Sequence, residues 1–187
     1  MLQLARRNDM LYFRDKSVVM LSFLAEGIML GLYLLFLRRQ LLAAFAGMAN
    51  AALLADAWML AGLISVTAVT TAMGVYGVAV EDRAKNAGRD LYISPVGRTA
   101  LPLGYWLAAA AVGLLLSFLL LLFSEAYIAI RYGVRLGAGT MEKVYAVLIL
   151  VSASGAARVL LIVSFLKSSG ALAGCCTIVG AMLGFLA

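Results

Sequence analysis

The stretch TALPLGYWLAAAAVGLLLSFLLLLFS, residues 99–124, runs for 26 residues without a charged side chain. As an α-helix it would be about 39 Å long, and about 20 apolar residues already cross a 30 Å hydrocarbon core. A run this long and this apolar predicts a membrane-spanning helix. Pro102 falls in its first turn, where backbone amides lack intrahelical partners in any case.

Outward from this stretch the same composition recurs. Of 187 residues, 65% are hydrophobic and 13% charged, with a mean hydropathy of +1.03, against roughly 45–50% apolar in an ordinary soluble domain. Residues 17–37, 57–80, 144–166 and 171–187 supply four more apolar runs, so about five crossings are expected and little chain remains for a soluble domain. The run 57–80 carries Ser65, Thr67, Thr70, Thr71 and several glycines, which suits close helix contact in lipid. Residues 40–56 read as an Ala-rich connection too short to cross. Arg38 and Arg39 close the first span, and Glu125, Arg131, Arg135, Glu142 and Lys143 mark the connection after the third. Residues 1–16 place Leu4, Met10, Leu11 and Phe13 on a rough helical stripe, with Arg6, Arg7, Asp9, Arg14 and Asp15 around it, as in a helix lying on a membrane surface. The fold class expected is an all-α membrane protein, an N-terminal amphipathic interfacial helix followed by about five transmembrane helices in one domain, 1–187.

Several chemistries are excluded by composition. With no histidine, the chain holds no His-based zinc site, triad or proton relay. Cys175 and Cys176 are adjacent within an apolar run, which suits small buried hydrophobes better than a metal site or a disulfide. No G-x-x-x-x-G-K-[ST] loop occurs, so ATP-driven work would need another chain. The net charge of +6 and pI near 9.6 report topology and anionic lipid rather than nucleic acid. Tyr33, Trp58, Tyr105 and Trp106 fall near span ends and read as anchors at the lipid interface.

Orientation follows from basic residues. Nine lie on the side of the N-terminus, the 81–98 segment and Lys167, against five on the other side, which predicts a cytoplasmic N-terminus in a multi-pass plasma-membrane protein. Residues 81–98, EDRAKNAGRDLYISPVGR, form the longest polar stretch and lie on that inner face. Their charges suit docking in a groove on a partner, and equally suit a solvated loop that fixes topology.

The order and spacing of RRN and YFRD at 6–15, LYLLFL at 32–37, DAWMLAG at 56–62, VEDRAKNAGRDLYISPVGR at 80–98, GYW at 104–106, EAYI after the third span and SFLKSSGALAGCCTIVGAMLGFLA at the end resemble the membrane subunits of type-2 ATP-binding-cassette exporters. The likeness runs along nearly the whole chain. It implies a six-helix permease fold, with two permease subunits, as a homodimer or heterodimer, forming the substrate path. It also implies a separate cytoplasmic ATPase that uses ATP and Mg, no cofactor being held by this chain itself. The loop between the second and third spans would then dock on that ATPase through Glu81, Asp82, Arg83, Lys85, Arg89 and Asp90. A sixth span would follow residue 187, so the sequence is expected to be a piece of a longer permease. A non-transporting membrane scaffold is the alternative, and a small membrane enzyme is disfavoured by the missing histidine and carboxylate clusters.

Two charges fall inside expected spans. Glu26 and Arg158 would each sit roughly 14–15 Å from the inner boundary. Intramembrane charges of this kind face a bundle interior, an aqueous cavity or each other. Equal depth allows an ion pair within a bundle or across a dimer; separate cavity-facing roles, snorkelling of Arg158 and a shifted span remain open alternatives. Neither is a candidate acid or base, because no nucleophile, metal or oxyanion site accompanies them.

Overall fold

The computed structural model of the protein describes residues 2–84, 100–166 and 168–186. Helix α1 spans Leu2–Arg14 and α2 Lys16–Leu32; a π-helical turn, Tyr33–Leu37, leads without a break into α3, Arg38–Ala44. Four further helices follow: α4 Ala51–Ala84, α5 Ala100–Tyr132, α6 Ala138–Ser164 and α7 Ser169–Leu186. No strand occurs among the described residues.

Four helical segments are long and apolar enough to cross a membrane, Glu26–Ala44, Ala51–Asp82, Leu101–Tyr132 and Gly139–Ser164, with a shorter apolar helix at Gly170–Gly180. The chain is therefore compatible with a multi-pass membrane protein. Helix ends are set by local signals. The Asp15 carboxylate accepts from Ser17 N–H at 3.1 Å at the start of α2, and the Ser168 hydroxyl accepts from Ala171 N–H at 3.2 Å at the start of α7. Gly133, at φ +67°, ends α5 in the left-handed conformation glycine adopts most easily.

Several helices run further than the apolar pattern suggested. Arg38 and Arg39 do not stop the first helix, which continues to Ala44; the connection shrinks to the turn at residues 45–50, and α4 begins at Ala51. Glu125 and Arg131 lie within α5, and Glu142 and Lys143 within α6, rather than in a loop. Glu81, Asp82 and Arg83 likewise extend α4. Helical hydrogen bonding does not depend on hydropathy, so a helix can outrun its apolar stretch: the 34 residues of α4 reach about 51 Å, longer than the 30 Å thickness of a hydrocarbon core.

Helix α4 is the central element, in contact with α1, α2, α3, α5, α6 and α7. Close approach is possible because small residues meet. A Cβ on Gly113 of α5 would lie 3.5 Å from the Ala68 carbonyl oxygen, and one on Gly155 of α6 would lie 3.7 Å from the same atom. Ala68 is thus gripped between two glycine notches, as the composition of 57–80 suggested. Around this contact Ala72, Val75, Tyr76, Ala108, Ala109, Val112, Ala156 and Val159 form the buried core.

Candidate functional site

Each end of α4 carries a carboxylate held by an arginine from an earlier helix and by tyrosine from α5. At the start of α4, Asp56 is 1% exposed. Its Oδ1 accepts from the Tyr33 hydroxyl at 2.7 Å and Arg38 Nε at 3.0 Å, and its Oδ2 from the hydroxyls of Tyr132 at 2.6 Å and Tyr127 at 3.1 Å. Arg38 Nη2 also donates to the Tyr132 hydroxyl oxygen at 3.3 Å. Four donors on two oxygens fill the acceptor capacity of a carboxylate. Asp56 is consequently no free base and no open metal ligand; it ties the π turn, α3, α4 and α5 together.

The π turn makes this arrangement possible. Arg38 N–H bonds the Tyr33 carbonyl, five residues back. In an α-helix residues five apart point about 140° from one another, whereas a π turn brings them nearly onto one face. Tyr33 and Arg38 therefore both reach Asp56.

At the far end, Asp82 receives a two-pronged contact from Arg7 of α1, Nη1 to Oδ2 at 3.0 Å and Nη2 to Oδ1 at 3.3 Å, and the Tyr105 hydroxyl donates to Oδ2 at 2.8 Å. The hydrogen bonds that Arg7 donates to Asp82 raise the Arg7 pKa and hold its charge. The same helix buries Ala5, Asn8 and Tyr12 against the bundle and leaves Met10 and Phe13 exposed. Burial pushes the nearby Asp9 carboxyl above its ordinary value, and its Oδ1 has no hydrogen-bond partner.

The residues singled out from sequence fare unevenly. Glu26 is half-buried beside the Thr67 hydroxyl of α4, while Arg158 is exposed and bonds the Ser154 carbonyl one turn back at 3.2 Å. Within one chain the two do not pair with each other, unlike Arg7 with Asp82 and Arg38 with Asp56. The depth expected from sequence says nothing of azimuth, and the two side chains satisfy different neighbours. Of the suggested docking residues, Glu81 and Asp82 lie at the end of α4, with Arg83 on its backbone, and Lys85, Arg89 and Asp90 lie outside the described residues. Of the four aromatics expected at the lipid interface, Tyr33 and Tyr105 are buried and Trp106 is partly buried. Tyr33 and Tyr105 bind the two aspartates and Trp106 Nε1 donates to the Ala153 carbonyl at 3.2 Å, while Trp58 is 61% exposed.

Asp56 is the residue that sequence reasoning missed. It is the single acid between Glu26 and Glu81, inside an apolar context, and that isolation was the available signal. Beside it opens a groove of about 670 Å³ lined by Arg38, Ala52, Tyr127, Ile130, Arg131 and Tyr132. No group of three metal-binding side chains occurs among the described residues. Comparison of the chain with protein-family models, with curated proteins and with solved structures gave no match.

Proposed function

We propose that the chain is the transmembrane subunit of an ATP-driven exporter, forming part of the substrate path and coupling to a separate cytoplasmic ATPase. The observation that carries this reading is the Asp82 junction. The polar segment 81–98 joins the end of α4 to the start of α5, and at that point Arg7 and Tyr105 fasten α1 and α5 onto α4. A force applied to the segment would therefore reach three helices as one unit and, through α4, every helix that touches it.

In this reading ATP and Mg act in the partner, a second permease subunit completes the path, and the N-terminus faces the cytoplasm of a cell whose plasma membrane holds the complex. Glu81, Asp82, Arg83, Lys85, Arg89 and Asp90 set the orientation of docking. Co-purification tests it. The tagged full chain, solubilised from its native membrane, is expected to retain a nucleotide-binding subunit whose ATP turnover changes with Glu81→Lys and Arg89→Glu. A preparation that holds no such subunit and hydrolyses no ATP overturns the reading and leaves a non-transporting scaffold.

A further inference from the structure

We propose that the groove beside Asp56 is a binding site for the headgroup of an anionic, phosphate-bearing lipid, seated between Arg38 and Arg131. This goes beyond the transport reading and does not depend on it.

Two guanidinia line the groove, with the tyrosines of α5 and the apolar Ala52 and Ile130. Arg131 is exposed and makes no ion pair among the described residues. Arg38 spends Nε and Nη2 on Asp56 and Tyr132, and its side chain remains 23% exposed to the groove. That bonding fixes the guanidinium in place, so an incoming anion meets a charge that need not be ordered on binding. Asp56 is bonded to Arg38 and buried behind it; with that acid counted, the two arginines that line the groove keep one net positive charge. Planar guanidinium groups match phosphate oxygens in geometry as well as charge.

The amphiphilic nature of the ligand follows from where the groove lies. On α5, Phe123 and Ile130 stand seven residues apart, hence on one face, and are 70% and 87% exposed. They form an apolar track running from the membrane-spanning part of α5 up to Arg131 at its end. A headgroup held by Arg131 would leave its acyl chain against this track. A freely soluble anion would make no use of it. The volume of about 670 Å³ accommodates a headgroup and the first part of its chains.

The test uses the purified full chain and measures retention of dioleoylphosphatidylglycerol and dioleoylphosphatidylcholine by native mass spectrometry. Phosphatidylglycerol is expected to bind more tightly than phosphatidylcholine. Arg131→Gln is expected to weaken phosphatidylglycerol roughly tenfold, the scale of one lost charge-assisted hydrogen bond. Arg135→Gln, an exposed arginine in the neighbouring groove with Glu125, should leave it within about twofold. Equal retention of the two lipids, no effect of Arg131→Gln, or an equal loss with Arg135→Gln would each overturn the proposal. Displacement of phosphatidylglycerol by millimolar inorganic phosphate would overturn it too, because the site would then belong to a soluble anion.

Discussion

Arg38 and Asp56 face each other across the turn at residues 45–50, Nε to Oδ1 at 3.0 Å, and the partly exposed arginine provides the charge that the carboxylate needs in order to be buried. The pair explains how a helix carrying two consecutive arginines continues instead of ending at them. Its guanidinium is held in place and stays partly exposed to the groove, while three phenols complete the shell around the carboxylate. Truncating one member of a buried pair leaves the other uncompensated, which costs about 3–5 kcal/mol. Asp56→Ala is therefore expected to lower the melting temperature in detergent far more than Tyr33→Phe, which removes one hydrogen bond of about 1 kcal/mol. Equal, small shifts for both variants would contradict this account.

The pair at the other end of α4 should behave differently. Arg7 is 42% exposed along its side chain and Asp82 15%, so water and salt screen the interaction. A double-mutant cycle of Arg7→Met and Asp82→Asn is expected to give a coupling of about 1 kcal/mol or less, smaller still at high salt. Hydrogen exchange in α1 should rise in Arg7→Met while the core of α4 stays protected. A uniform rise along both helices would mean that the contact holds the whole bundle rather than one helix.

Gly113 offers a graded probe of the grip on Ala68. A single added Cβ would stand 3.5 Å from the Ala68 carbonyl oxygen, an ordinary contact, and alanine favours helix over glycine by up to about 1 kcal/mol. Gly113→Ala is expected to be neutral or stabilising. Gly113→Leu must push α4 and α5 apart, at about 1–3 kcal/mol or more. Thermal unfolding of the two variants checks the sign change, and parallel behaviour would show that the helices are not in close contact there.

Asp9 gives the protein a pH dependence of unusual sign. Its carboxyl is held above the ordinary 3.8 by burial. An unfolded chain loses this proton near that value, while the folded chain keeps it to higher pH. Between the two the native state binds more protons, so this group's contribution to stability falls as pH rises. Asp9→Asn, which keeps the shape without the charge, is expected to melt above the parent at pH 7. The gap should close as pH approaches 4, and a gap independent of pH would assign the effect to something other than ionisation.

Much of the architecture was legible in the chain because lipid-spanning helices are written in long uncharged runs. The described residues of 57–80 and 99–124 lie within helices α4 and α5, those of 144–166 lie within α6 up to Ser164, and the small residues of 57–80 lie where helices meet closely. Helix ends were less legible. The charges of Glu125 and Glu142 suggest a connection although both residues are helical, because charge reports where an apolar run stops and says little about where backbone hydrogen bonding stops. Glu26 and Arg158 drew attention because each breaks an apolar run, yet depth along an axis does not determine which way a side chain points.

The sequence by itself determined that this is an all-helical chain with several apolar helices of membrane-crossing length, since composition and run length alone dictate that solution when backbone groups must be satisfied in lipid. Only the tertiary structure decided which charges are partnered. Asp56 gathers Tyr33, Arg38, Tyr127 and Tyr132 from separate stretches up to 76 residues distant, and does so through a π turn that departs from the 3.6-residue period. Hydrophobic patterning is a local property of the chain. The pairing of a buried carboxylate is a property of several helices brought to one point, and it takes form only when they pack.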